Sequence, residues 1–361
     1  MKDGDREITK QIDEQIARQE AKHKAKHIAK RNAKEEGQKA GKKAQKLTDC
    51  HVHIIAFPDA SNKYSKDNIV SEKLRSSYIW KSSAKYHGWD LSSPDVNSIY
   101  IESLSKQLSE SKQIKGCVAF GLDGVYLPNG DLDINKSTFV ISNDYVYHMT
   151  KKHKNIQYAV SINPARKDAL DQIDLAIKRR AKLVKFLPNT QGFSPADKKF
   201  KKFYQKLADA NLPLLGHTGY EFAASVEKQS YGHPLGYRLA MDQGVKFIAA
   251  HSCATGLFVF ERHKKTILRL FEEYPNFYMD ISALSLPTRY NVTRFLKKLP
   301  QMRNRLFFGS DYPLPIMAFP SMFRLGPIRI RHIMSEPNYF DRYYELSKAL
   351  GILPTKDPFK L

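Results

Sequence analysis

The chain has 361 residues, enough to bury a barrel-sized core and carry extensions. Its 42% hydrophobic and 27% charged residues argue against a disordered chain, and it lacks the long apolar runs of a membrane-spanning helix or a signal peptide. The net charge of +22 raises a nucleic-acid partner, but the charge is dispersed, which fits solubility and attraction of small anions rather than a binding stripe.

Residues 1–46 read as a separate basic arm, helical or partly disordered, with 14 Lys/Arg against 8 Asp/Glu. Ile8, Ile12 and Ile16 recur every four residues and draw one narrow helical stripe through a Lys-, Glu- and Ala-rich background. His23 and His27 share a helix face, but no third ligand lies near them, so they read as surface residues.

From Leu47 short apolar runs alternate with amphipathic stretches. Strands are expected near 47–55, 115–122, 156–162, 182–187, 212–217, 245–250, 276–281 and 305–310. Helical patterns fall between them, at 168–180, 197–210, 234–243, 262–273 and 289–298. Eight such units give an α/β fold, a (β/α)8 TIM barrel spanning 47–361. Two stretches break the rhythm. Residues 56–96 form a long loop expected to cover the barrel mouth, with Trp80, His87 and Trp89 as aromatic lid candidates. Residues 312–361 are expected to wrap the barrel and to end in a helix near 338–350.

The chemistry gathers at strand ends. His51 and His53 are two apart on the first strand and so share a face. Two imidazoles side by side in a core need a metal or each other. His217, His251 and Asp311 each follow an apolar strand at its C-terminal end, the catalytic face of a barrel. Five ligand-type residues on strands one, five, six and eight point to a metal site. Three nitrogen ligands and a carboxylate leave a water position open on Zn2+ and lower that water's pKa toward about 7. Asp280, after the seventh strand, is either structural or in touch with the site, and Cys253 reads as a small packed side chain rather than a ligand. Arg238, Arg289 and His233 are candidate contacts to an anionic substrate. The three cysteines, Cys50, Cys117 and Cys253, are scattered and odd in number, which suits a reducing, cytoplasmic compartment.

The motifs DCHVH at 49–53, VKFLPNTQGFSP at 184–195, LLGHTGYE at 214–221, FIAAHSCATG at 247–256, MDISAL at 279–284 and FFGSDYPLP at 307–315 occur in the order seen in a known group of enzymes. Over residues 47–320 the sequence resembles the amidohydrolase superfamily, in the branch of aminocarboxymuconate-semialdehyde decarboxylase-like enzymes. The resemblance implies one divalent metal, Zn2+ or else Mn2+, held by His51, His53, His217 and Asp311. It implies that Asp311 also serves as general base for the activated water, and that His251 polarises a carbonyl or orients that water. Lys185 stands where two-metal members carry a carboxylated, bridging lysine, with His217 and His251 then both binding the second metal. The DYP at 311–313 and HTG at 217–219 favour the one-metal arrangement, with Lys185 as a structural or substrate-binding cation.

The expected activity is hydrolysis of an amide, ester or lactone, with non-oxidative decarboxylation of a small carboxylated acid as the alternative on the same site. An inactive scaffold whose basic arm binds nucleic acid or protein is the third reading. A small-molecule substrate, a homodimer and no membrane or nucleic-acid partner are expected.

Overall fold

The computed structural model describes residues 46–257, 261–355 and 357. The arm expected over 1–46, with His23 and His27, lies outside these residues apart from Lys46. Eight strand positions form the centre: β1 (Leu47–His53), β2 (Ile114–Phe120), β3 (Ile156–Tyr158 and Val160–Ser161), β4 (Val184–Phe186), β5 (Leu214–Gly216), β6 (Phe247–Ala249), β7 (Phe277–Asp280) and β8 (Leu306–Phe307). Every pairing between them is parallel. The two segments of β3 divide the labour, the first pairing with β2 and the second with β4.

Closure occurs between β1 and the end of β8. Cys50 N donates to Phe308 O at 2.8 Å, Asp311 N to His51 O at 3.0 Å and His53 N to Tyr312 O at 2.9 Å. A closed ring leaves no sheet edge to protect. Val118, Phe120, Leu183, Leu215, Ile248 and Phe307 fill its interior. The opposite faces of the strands, with Val52, Ala119, Val184 and Phe247 among them, pack against the surrounding helices.

Each expected strand is present within a few residues, and usually shorter, because regular pairing in the ring lasts only a few residues before the chain turns. The expected helices appear at Ala169–Lys178, Lys201–Asp209, Arg238–Asp242, Lys264–Glu273 and Asn291–Lys297. The stretch 56–96 carries structure of its own. It contains a strand at Ile69–Val70, paired antiparallel with Phe139–Val140, and a helix at Tyr78–His87. Ser77 caps that helix through Trp80 N, and Gly88, at φ 73°, ends it. The final helix, Tyr339–Leu350, starts on Asn338, whose side chain accepts from Phe340 N and Asp341 N. Buried Asp341 then ties it to the barrel through Ser111 Oγ at 2.6 Å and Lys112 N at 2.8 Å. Among the described residues no helix is long and apolar enough to cross a membrane.

Candidate active site

Alternation along β1 turns His51 and His53 to one face, with their Nε2 atoms 3.3 Å apart. Asp311, beyond β8, brings Oδ1 to 3.2 Å from His51 Nε2 and 3.4 Å from His53 Nε2. The three ligand atoms form a nearly equilateral triangle. A tetrahedral zinc with bonds of about 2.1 Å separates its ligand atoms by about 3.4 Å. The donor set and its spacing therefore fit a small divalent cation.

Asp280, at the end of β7, fixes this triangle. Its Oδ2 lies 2.7 Å from His51 Nδ1, so a proton on Nδ1 leaves the Nε2 lone pair facing the other two donors. Its Oδ1 accepts from His251 N at 2.8 Å and Ser282 N at 3.0 Å. Gly309 is required by close approach, since a Cβ there would lie 2.9 Å from His51 Cβ. His251 and Asp311 hold left-handed backbone, at φ 59° and 65°. Non-glycine residues adopt this region at a cost of about 1 kcal/mol or more, and it aims both side chains into the barrel mouth.

His217 and His251 form a second pair, with His251 Nε2 3.2 Å from His217 Nδ1. His251 Nδ1 lies 2.9 Å from Ser282 Oγ and 3.8 Å from Asp311 Oδ2. His217 is thus set beside His251 rather than inside the triangle, but its Nε2 is buried with no hydrogen-bond partner among the described residues. Lys185 Nζ reaches His51 Nε2 at 2.8 Å from buried β4.

The electrostatics keep most donors free of protons. Burial pushes His53 down to about 4. Burial, reinforced by the Arg289 charge, holds His217 and His251 well below the ordinary histidine range. Burial alone would raise Asp311, but His51 and His251 beside it outweigh that and hold it well below the carboxylate range. His51 goes the other way: burial and Lys185 depress it, while Asp311 and Asp280 lift it above its usual value. Lys185 is lowered by burial to about 8, against the pull of Asp311, Asp280 and Glu221. Neutral imidazoles and an ionised carboxylate are the forms that ligate metals.

His53, Lys185, His217, His251 and Asp311 line a cavity of about 410 Å3 whose other walls include Trp80, Trp89 and Tyr100. Of the three lid candidates, Trp80 and Trp89 line the cavity and His87 does not. His87 stacks on Trp89 with centroids 4.4 Å apart, and its Nε2 lies 3.0 Å from Pro313 O. Arg289 also lines the cavity and is only 7% exposed. Its Nη2 reaches Tyr220 O at 3.4 Å, while Nη1 has no partner among the described residues.

Two expected substrate contacts lie elsewhere. Arg238 opens an outer helix and turns to its neighbour, with Nη2 2.9 Å from Glu273 Oε2 and Nε 3.1 Å from Tyr274 OH. His233 packs its ring on His263 and accepts from Leu235 N at 3.3 Å. Neither lines the cavity. Cys253 is buried and free. Sequence reasoning passed over Glu221, a buried cavity residue whose Oε2 lies 3.5 Å from His217 Nδ1. Its signal was present, a carboxylate four residues after a strand-end histidine. Of the two roles open to Asp280, contact with the site is the one seen, through His51 Nδ1.

Residues 48–321 match the amidohydrolase family. No curated protein matches in sequence. An uncharacterised TIM-barrel protein of Bordetella bronchiseptica is similar in structure, at 17% identity and TM-score 0.53, over 84% of this chain and 99% of its own. That likeness is one of fold. A probable 2-pyrone-4,6-dicarboxylic acid hydrolase of Acinetobacter baumannii aligns at 10% identity and TM-score 0.48, over 88% of this chain and 99% of its own. A 2,6-dihydroxybenzoate decarboxylase aligns at 10% identity and TM-score 0.45, over 85% and 99%.

Proposed function

The chain belongs to the amidohydrolase family, whose enzymes are metal-dependent, and on that premise we propose that it is a hydrolase acting on an amide, ester or lactone of a small anionic molecule. The observation that carries this reading is the triangle of His51 Nε2, His53 Nε2 and Asp311 Oδ1, 3.2–3.4 Å on a side. His51, His53 and Asp311 would hold one divalent cation, zinc by its ligand set, and His217, set beside His251, would supply a further nitrogen. Bound there, the cation supplies Lewis acidity and a water acidified toward neutral pH.

The chain's own groups do the rest. Asp311, ionised and aimed into the cavity, takes the proton from the attacking water. His251, anchored by Ser282 and Asp280, positions the carbonyl oxygen. Arg289 pairs with a substrate carboxylate, which answers its missing partner. The aromatic wall excludes bulk water and strengthens each of these interactions.

Arg289 and Lys185 also support a second reading, decarboxylation. Two cations facing the cavity suit a substrate whose carboxylate is the leaving group. The three free, buried cysteines suit the reducing cytoplasm as the compartment. Elemental analysis of purified protein tests the metal first, with one zinc per chain expected. A screen of amides, lactones and aromatic acids, scored for acid release against CO2 release, then separates hydrolysis from decarboxylation. Protein that takes up neither zinc nor manganese ends both.

A further inference from the structure

Ten consecutive residues after the cavity wall, 319–328, show four exposed large apolar side chains: Phe319 at 59%, Met322 at 42%, Phe323 at 98% and Ile328 at 86%. Pro315 and Met317, just upstream, line the cavity. Four exposed large apolar side chains within ten residues are more than ordinary surface scatter and point to a contact site.

The display is held in place. Arg324 in the helix Met322–Leu325 points inward, with Nη1 2.8 Å from Thr293 Oγ1 and Nη2 3.3 Å from Leu350 O, so the neighbouring Phe323 stands in solvent. The next helix, Pro327–Met334, buries Ile330 and Ile333 against the barrel. At about 100° per residue, Ile328 and His332 then fall on the opposite, outermost face, with Arg329 and Arg331 on its two flanks. All four are exposed. No Asp or Glu occurs between Asp311 and Glu336.

We propose that residues 319–332 dock on an anionic lipid surface, with Phe319, Met322, Phe323 and Ile328 entering the headgroup boundary and Arg329 and Arg331 pairing with lipid phosphates and carboxylates. Apolar side chains at the apex and cations on the flanks are what such an interface selects. A second copy of this chain fits the face less well. A two-fold contact would set Arg329 and Arg331 of two chains of net charge +22 against each other. The docking face leads directly into the wall of the cavity through Pro315 and Met317, so a bound enzyme would work on an amphiphilic substrate at the surface where it dissolves. The proposal stands independently of the metal.

The test is sedimentation of the full chain with phosphatidylcholine vesicles, with and without phosphatidylserine. Binding is expected only with phosphatidylserine and is expected to weaken with salt. Phe323→Ser and Ile328→Ser are each expected to lower the partition coefficient about tenfold, and Arg329→Ala about fivefold. Because these side chains are exposed, circular dichroism should not change. Amide exchange over 319–332 should slow on vesicles. Three results overturn the proposal: no binding to phosphatidylserine vesicles; binding that the Phe323→Ser/Ile328→Ser double variant leaves intact, which would assign it to another surface such as 1–46; or a dimer in solution that the double variant dissolves.

Discussion

Replacing Asp280 by Asn changes almost no volume and reverses one hydrogen bond. Asp280 Oδ1 accepts from His251 N, Ser282 N and the Ser282 hydroxyl, while Oδ2 faces only His51 Nδ1, at 2.7 Å. An amide has one acceptor oxygen and one donor nitrogen. Three donors on one side outnumber one on the other, so the oxygen takes the Oδ1 place and the NH2 group meets His51. His51 Nδ1 must then accept, its proton moves to Nε2, and the lone pair facing His53 and Asp311 is lost. Removing a partner that orients a metal ligand costs about 10–100-fold in metal affinity, or roughly 1.4–2.7 kcal/mol. Competition of zinc against a chromogenic chelator at neutral pH measures this directly. The metal-free variant should melt close to the metal-free parent, because the amide still bonds on both sides. Zinc affinity equal to that of the parent would refute the reasoning. Loss of affinity with collapse of the metal-free melting point would instead make Asp280 a fold residue.

Lys185→Met should leave one metal per chain by elemental analysis, and a fall to zero would favour a lysine-bridged pair of metals. Arg289→Met should lower kcat/KM for a carboxylated substrate by about 10–100-fold, the worth of a charged hydrogen bond, with little change for a neutral analogue. Gly309→Ala forces a Cβ to 2.9 Å from His51 Cβ, so a loss of about 1–3 kcal/mol in urea denaturation and weaker zinc binding are expected together. Burial depresses His87 to about 4 in the folded chain, against about 6.5 unfolded. Its neutral form is stabilising above pH 6.5, and that contribution falls as pH drops toward 4, by up to about 3 kcal/mol. The difference in urea midpoint between the parent and His87→Phe should accordingly shrink or reverse sign over that window.

The parts of this molecule legible in the sequence are those governed by local periods. A strand repeats every two residues, so His51 and His53 announce a shared face before any fold is known. A βα unit repeats an apolar run, so eight strands and the polar residues ending three of them can be read along the chain. What the local pattern omits is distance across the barrel. His217, His251 and Asp311 look equivalent as strand ends. Yet Asp311 reaches the β1 histidines and His217 stops at His251, because strand adjacency decides which ends meet. Arg238 and Arg289 are likewise indistinguishable as cations placed after strands. One opens a helix on the outer shell and finds Glu273, while the other is buried in the cavity wall with one nitrogen unpartnered among the described residues. Residues 312–361 read as a wrap over the barrel, yet Phe319, Met322, Phe323 and Ile328 are exposed, since hydrophobicity reports a preference for burial but not the presence of anything to bury against. In each case the missing information is what stands opposite a side chain; among the described residues Arg289 Nη1 has no hydrogen-bond partner and Phe323 is 98% exposed. Those two positions are therefore where a ligand and a surface are to be sought.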